Sequence, residues 1–179
     1  MEDLSLHILD IVENSVSAGA KNVEIVVSEN RPRDLLRIEI SDDGKGMNPA
    51  AVAHATDPFY TTRTTRKVGL GLALLEEAAK MANGSMDIHS VPGIGTKVIA
   101  IFQHSNIDRK PLGDMAATIV MLVAGSPDVE FTYRYEHDGY TFTFQTKEIR
   151  AQLRGLEMNS PDTLSFIREY ITEHTVSLS

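Results

Sequence analysis

Ser41-Asp42-Asp43-Gly44-Lys45-Gly46-Met47 closes the run Leu35-Leu36-Arg37-Ile38-Glu39-Ile40. Alternation of apolar and polar residues marks a strand with one buried face. The strand therefore ends in a carboxylate and a bare backbone turn. Glycines let the main chain take conformations that other residues avoid, and let a flat ligand come close. Asp42 can accept a hydrogen bond from an exocyclic amine. An isolated Asp-Gly run is usually a plain turn, so the meaning of this one rests on what stands around it.

Upstream, Leu4, Ile8, Ile11 and Val12 recur at helical spacing over residues 3–18, and Gly19 stops the helix. His7, Asp10, Asn14 and Ser17 share a polar stripe on that helix. The stripe is either a solvated face or a row of working groups. In the second reading Asn14 offers an amide oxygen to Mg²⁺, a hard ion that takes oxygen ligands and keeps waters. Asp10, one turn earlier, would orient or deprotonate a water. Residues 22–28 read as a strand, joined to 35–40 by the turn Arg31-Pro32-Arg33-Asp34.

Downstream, Asn48-Pro49 starts a short helix to about Ala55, with Asn48 as its cap. The stretch DPFYTTRTTRK (57–67) is polar, basic and rich in threonine. It is either an exposed loop or a lid that offers hydroxyls and positive charge to phosphates, with Thr62, Arg63 and Lys67 as the contacts. Val68-Gly69-Leu70-Gly71-Leu72 opens a helix to about Ala82. Free N–H groups at a helix start favour an anion, which makes Gly69, Leu70 and Gly71 candidates. Residues 85–91 and 96–102 are two more strands around the turn Pro92-Gly93-Ile94-Gly95. Thr96 is either a plain strand residue or one that reaches the ligand.

The chain has 179 residues, a net charge of −8 and no cysteine. That balance argues against non-specific nucleic-acid binding and against a polybasic membrane surface. Disulfides and thiolate metal sites are excluded, and a cytoplasmic protein fits. The acidic N-terminus lacks the pattern of a signal peptide, and no window has the apolar length of a membrane span.

Taken in order, the Asn14 helix, the Asp42 turn, the threonine-rich loop, the Gly69-Leu70-Gly71 helix start and Pro92-Gly93-Ile94-Gly95-Thr96 resemble the GHKL superfamily of ATP-binding domains. Its members include gyrase, the ninety-kilodalton heat-shock chaperones, histidine kinases and MutL. The likeness covers about residues 4–102. VENSVSAGA looks like the first motif of MutL-type mismatch-repair proteins, and DPFYTTR with VGLGLALLEEAAKMANGSMDIHSVPGIGTKVIAIF looks like a sensor histidine kinase. The resemblance implies an α/β fold, a two-layer sandwich of mixed β-sheet with helices on one face (the Bergerat fold), holding ATP with Mg²⁺. By position it makes Asn14 the Mg²⁺ ligand and Asp42 the group that recognises the adenine amine. Gly44 and Gly46 shape the adenine pocket, Met47 packs beside it, Gly69 and Gly71 lie under the phosphates, and Thr96 matches the threonine near the adenine.

Three positions depart from the pattern. Asp10 stands where ATP-hydrolysing members have glutamate, a shorter arm for a general base. Ser17 stands where MutL-type proteins have aspartate. Lys67 replaces the first glycine of the kinase Gly-x-Gly-x-Gly motif. The fold is expected to begin almost at Met1, without the helical hairpin that carries a sensor kinase's phosphoacceptor, and His7 reads as a polar residue beside the phosphate site.

After Phe102 a polar linker marks an expected boundary: a histidine kinase-like ATP-binding domain over 1–104, and a small α+β domain over 105–179. The second unit reads as a helix over 112–124, then a hairpin turning at Asp138-Gly139, a helix capped by Thr146 and a last helix from Ser160-Pro161. Three functions share the implied ATP site. One is a kinase acting in trans on a protein partner, another a slow ATPase switch of MutL type, and the third a non-catalytic nucleotide-sensing regulator. A homodimer is compatible with all three.

Overall fold

The computed structural model describes residues 3–57, 59 and 70–176. Over these the chain runs α1 (Leu4–Ser17), β1 (Asn22–Asn30), β2 (Leu35–Asp42), α2 (Pro49–Ala53), α3 (Leu70–Met81), β3 (Ser85–Val91), β4 (Gly95–Gln103), α4 (Met115–Gly125), β5 (Glu130–His137), β6 (Tyr140–Gln145), α5 (Thr146–Gln152) and α6 (Pro161–Val176). The strands form one sheet in the order β3-β4-β2-β1-β5-β6. β1 and β5 run parallel and the other neighbours antiparallel.

The strand pattern explains the layering. Val23, Ile25 and Val27 of β1, Leu36, Ile38 and Ile40 of β2, and Val98, Ala100 and Phe102 of β4 alternate into one buried face. Ile8 of α1, Leu75 of α3, Ile119 of α4 and Ile167 of α6 join the same core. The other face of the sheet carries charge: Lys97 pairs with Glu39 at 3.0 Å, Arg134 with Glu136 at 3.1 Å, and Arg37 also with Glu39. This is the mixed-sheet, two-layer α/β sandwich that the sequence implies. Among the described residues no helix is long and apolar enough to cross a membrane.

Helix α1 is held at both ends by local chemistry. Asp3 caps it by accepting from the Leu6 N–H, and Gly19 leaves it at φ +84°. The backbone N–H groups of Leu4 and Ser5 donate to the carbonyls of Pro111 and Leu112 at 2.9 and 2.8 Å. The linker thus supplies the acceptors that a helix start lacks. At its other end the linker is tied by Asp34, which accepts from Gln103 Nε2, Ser105 N and Ser105 Oγ at 2.7–3.0 Å. Those hydrogen bonds hold the Asp34 carboxyl below its usual range.

The sequence boundary at 104/105 coincides with this linker, but the sheet continues across it. β5 pairs with β1 along eight residues, from Asn22 opposite Glu130 to Glu29 opposite His137. Phe131, Tyr133, Phe142 and Phe144 belong to the same core as α1 and β2. Asp138 and Gly139 take positive φ at the hairpin turn, as that dipeptide requires. Thr146 departs from its expected role. Its hydroxyl does not cap α5; it donates to Glu130 and receives the Phe131 N–H at 2.9 Å, fastening the helix start to β5.

Candidate functional site

The turn after β2 is clamped from two sides. The Lys45 N–H donates to the Ala18 carbonyl at the end of α1 (3.0 Å), and the Gly93 N–H donates to the Lys45 carbonyl (2.7 Å). The Met47 N–H donates to Ser90 Oγ at 2.7 Å. Gly46 sits at φ +71°, and a Cβ there would collide with the Val91 carbonyl. The backbone of the turn therefore runs directly against β3.

Its two aspartates divide the work. Asp43 turns to the α1–β1 junction and accepts from Lys21 N, Asn22 N and Asn22 Nδ2 at 2.7–2.9 Å. Bonds from Asn22 and Lys21 keep its carboxyl below the usual range. Asp42 faces a cavity of about 510 Å³. One carboxylate oxygen receives the Gly44 N–H at 2.9 Å and the other receives the Ser15 hydroxyl at 2.7 Å. An ionised carboxylate has about four lone-pair sites, so Asp42 is fixed in orientation and still has acceptor capacity for a ligand.

Ile11, Ile40, Met47, Leu72 and Val98 give the cavity apolar walls, and Asn14, Asp42 and Thr96 give it polar ones. The size and the mixture suit a small-molecule site. They also suit an adenine nucleotide with Mg²⁺: apolar walls for a flat ring, a carboxylate for an amine, and an amide oxygen for a cation that keeps most of its waters. Among the described residues no group of three or more His, Asp or Glu is arranged to hold a metal ion.

The other expected residues fall as follows. Gly46 lines the cavity beside Met47. Gly44 is buried next to Asp42. Asp10 lies one turn before Asn14 and against the first turn of α3, where a Cβ on Gly71 would collide with its carboxylate. Leu70 is the first residue of α3 and is exposed. Thr62, Arg63, Lys67 and Gly69 lie outside the described residues. The polar stripe of α1 is not uniform: Asp10 and Asn14 are partly accessible and Ser17 is exposed, whereas His7 is fully buried.

Two serines join the site without having been singled out in the sequence. Ser15 follows the apolar positions Ile8, Ile11 and Val12 on the core face of α1 and is 6% exposed. Ser90 continues the inward positions Met86 and Ile88 of β3. A hydroxyl on an otherwise apolar face is the one signal that could have marked either.

With this geometry established, three comparisons bear on it. The family described as "Histidine kinase-, DNA gyrase B-, and HSP90-like ATPase" matches residues 2–106. The sensor histidine kinase YvrG of Bacillus subtilis is 29% identical over 98 residues, covering 52% of this chain and 17% of that protein. The sensor protein kinase FleS of Pseudomonas aeruginosa is 39% identical over 89 residues, 50% of this chain and 22% of that protein. The chain thus spans under a quarter of the length of these curated relatives. Among solved structures, the N-terminal domain of a DNA repair protein superposes with a TM-score of 0.58 at 16% identity, covering 96% of this chain and 56% of that one. This last likeness is one of fold.

Proposed function

Because the chain belongs to the histidine kinase-, DNA gyrase B- and HSP90-like ATPase family, we propose that its cavity binds Mg-ATP and that the protein acts in trans on a protein partner, as a kinase or as a regulatory switch, in the cytoplasm. The observation that carries this reading is the Asp42 carboxylate, held by Ser15 and Gly44 with acceptor capacity left toward the cavity. Asp42 would take the adenine amine, and Thr96 would stand beside it. Asn14 would hold Mg²⁺, which supplies charge neutralisation on the phosphates. Phosphoryl transfer asks mainly for positioning and charge neutralisation, so the short arm of Asp10 is compatible with kinase chemistry.

A second reading has its own observation. Asp10 is pressed against Gly71 at the start of α3, beside the expected phosphate end of the site. From there it would orient or deprotonate a water, as a slow ATPase switch requires.

Melting temperature with and without Mg-ATP tests the binding. At a hundred times its dissociation constant a ligand adds about 2.7 kcal/mol to the native state. The wild type should melt higher with nucleotide, and Asp42→Asn should lose that gain, because its amide cannot reproduce the carboxylate's two acceptors. A wild type indifferent to nucleotide would overturn the proposal. The fate of a labelled γ-phosphate then separates the readings: label on an added protein means kinase, and free phosphate that falls with Asp10→Asn means switch.

A further inference from the structure

The sheet has two edges, β3 and β6. A free strand edge invites pairing with another chain, and proteins blunt it with charge, proline or a covering segment. β3 is blunted: it carries Asp87 and His89, and the β2–α2 turn lies against its end through Met47 and Ser90. β6 is not. Tyr140-Thr141-Phe142-Thr143-Phe144-Gln145-Thr146 has neither charge nor proline and is rich in strand-forming residues.

The hairpin fixes which backbone groups face outward. His137 and Tyr140 are register partners on either side of the two-residue turn Asp138-Gly139, which makes them a hydrogen-bonded pair. Alternation makes Phe142 and Phe144 the next bonded positions. It turns the N–H and C=O of Thr141 and Thr143, and the N–H of Gln145, away from β5. Among the described residues no other backbone group pairs with them. On the helix side, Tyr140 is 45% exposed, and Phe166, 49% exposed, stacks on Tyr170 beside Phe142.

We propose that this edge pairs two copies of the chain, β6 against β6, antiparallel about a two-fold axis at Thr143. The outward groups fix that register. Thr143 exchanges both hydrogen bonds with its mate, and the Gln145 N–H of each copy meets the Thr141 carbonyl of the other. Side chains then match like with like: threonine and glutamine on the open face, and Phe142 beside Phe144 of the second copy on the helix side. Charge also selects a second copy over a foreign strand. Antiparallel pairing brings the hairpin turn of one copy to the start of α5 in the other, so the exposed Lys147 of each meets the exposed Asp138 of its mate. Glu148, next in the helix, turns about 100° away around it. Pairing leaves the cavity open, because α1, β2 and β4 line it on the far side of β1 from β6.

Sedimentation velocity of the nucleotide-free full chain over a dilution series tests this, with the melting temperature of each variant as the folding control. The wild type should show a reversible monomer–dimer equilibrium. Thr143→Pro removes an outward N–H and leaves the β5 ladder intact, since an edge strand tolerates proline where its N–H faces solvent; it should sediment as a monomer at every concentration. Thr143→Lys and Thr143→Glu each set like charges face to face on the axis and should also be monomeric, whereas their equimolar mixture should restore the dimer. Lys147→Glu should raise the dissociation constant about tenfold, because two exposed pairs turn from attraction to repulsion. If Thr143→Pro does not fold, the lysine and glutamate variants and their mixture carry the same reading. A wild type that stays monomeric would overturn the inference and leave β6 to a strand of another protein. A dimer unchanged by the Thr143 variants, a mixture that stays monomeric, or a Lys147→Glu that dimerises as the wild type does would each overturn it as well.

Discussion

His7 is 0% exposed, and neither ring nitrogen has a hydrogen-bond partner among the described residues. Burial pushes its imidazole down to about 4, and the positive charge of Lys110 adds to the effect against a weaker pull from Asp3. The unfolded chain binds this proton near pH 6.5 and the folded one does not until about pH 4. Stability is therefore complete above pH 6.5, falls as the pH drops through the interval between, and levels out below it. From pH 7 to pH 5 the loss should be about 2 kcal/mol. His7→Leu, of similar size, removes both the titration and the unpaired nitrogens. Urea midpoints at pH 5 and pH 7 should differ in the wild type by about 2 kcal/mol more than in the variant; equal differences would mean His7 is charged or hydrated in the native state. His7 also shows why residues were only partly legible. Its spacing with Asp10, Asn14 and Ser17 is the same whether that stripe meets water or a neighbouring helix. Asp42 and Asp43 are alike as residues, and only the position of Asp42 in the motif singles it out in the sequence; in the structure they are separated by where Asn22 and Ser15 stand.

At the scale of elements, the turn between β2 and α2 is held by the turn between β3 and β4. Gly46 and Gly93 both take positive φ, +71° and +78°, yet their surroundings differ. A side chain on Gly46 meets the Val91 carbonyl, whereas one on Gly93 meets nothing within 4 Å. Gly93→Ala should therefore cost only the strain of a left-handed residue, about 1 kcal/mol, and leave nucleotide binding intact. Gly46→Ala adds a clash of the new methyl group with the Val91 carbonyl. It should cost about 2–3 kcal/mol and abolish the melting shift given by Mg-ATP, because Met47 and Asp42 move with the turn. Denaturation midpoints and melting shifts of the two variants check this, and equal behaviour would mean that Gly46 contributes flexibility rather than fit. These elements were readable one by one. Alternation marked β2, Asn48-Pro49 marked α2, and Asp138-Gly139 marked the hairpin, because each signal lies within or beside the element it marks. The Ser90 anchor was not readable, since it joins residues 43 positions apart and depends on how two turns meet.

The whole molecule turns on one parallel pairing. β1 has β2 on one side and β5 on the other, and β5 arrives only after about a hundred residues of chain. Alternating aromatics at Phe131, Tyr133 and Tyr135 announce a strand with one buried face; they carry no information about which edge it joins. That is why the sequence shows a second unit after 104 and the structure shows a sheet running through it. The family match stops at residue 106, while the fold likeness extends over 96% of the chain. A fragment of residues 1–104 would lose β5 from the edge of β1, and with α4 it would lose cover from α1, the helix that carries Asp10, Asn14 and Ser15. Phe131, Tyr133, Phe144, Ile119 and Ile167 would leave the core. Burying such side chains contributes about 1.5–3 kcal/mol each, and a domain's net stability is only about 5–15 kcal/mol. The fragment should therefore fail to unfold cooperatively, expose an apolar strand edge and aggregate. Circular dichroism melts and Mg-ATP titration of the fragment beside the full chain decide the matter. A fragment that melts sharply and binds nucleotide as the full chain does would make residue 104 a true domain boundary, and would make β5 a docked neighbour rather than part of the structure that holds the site.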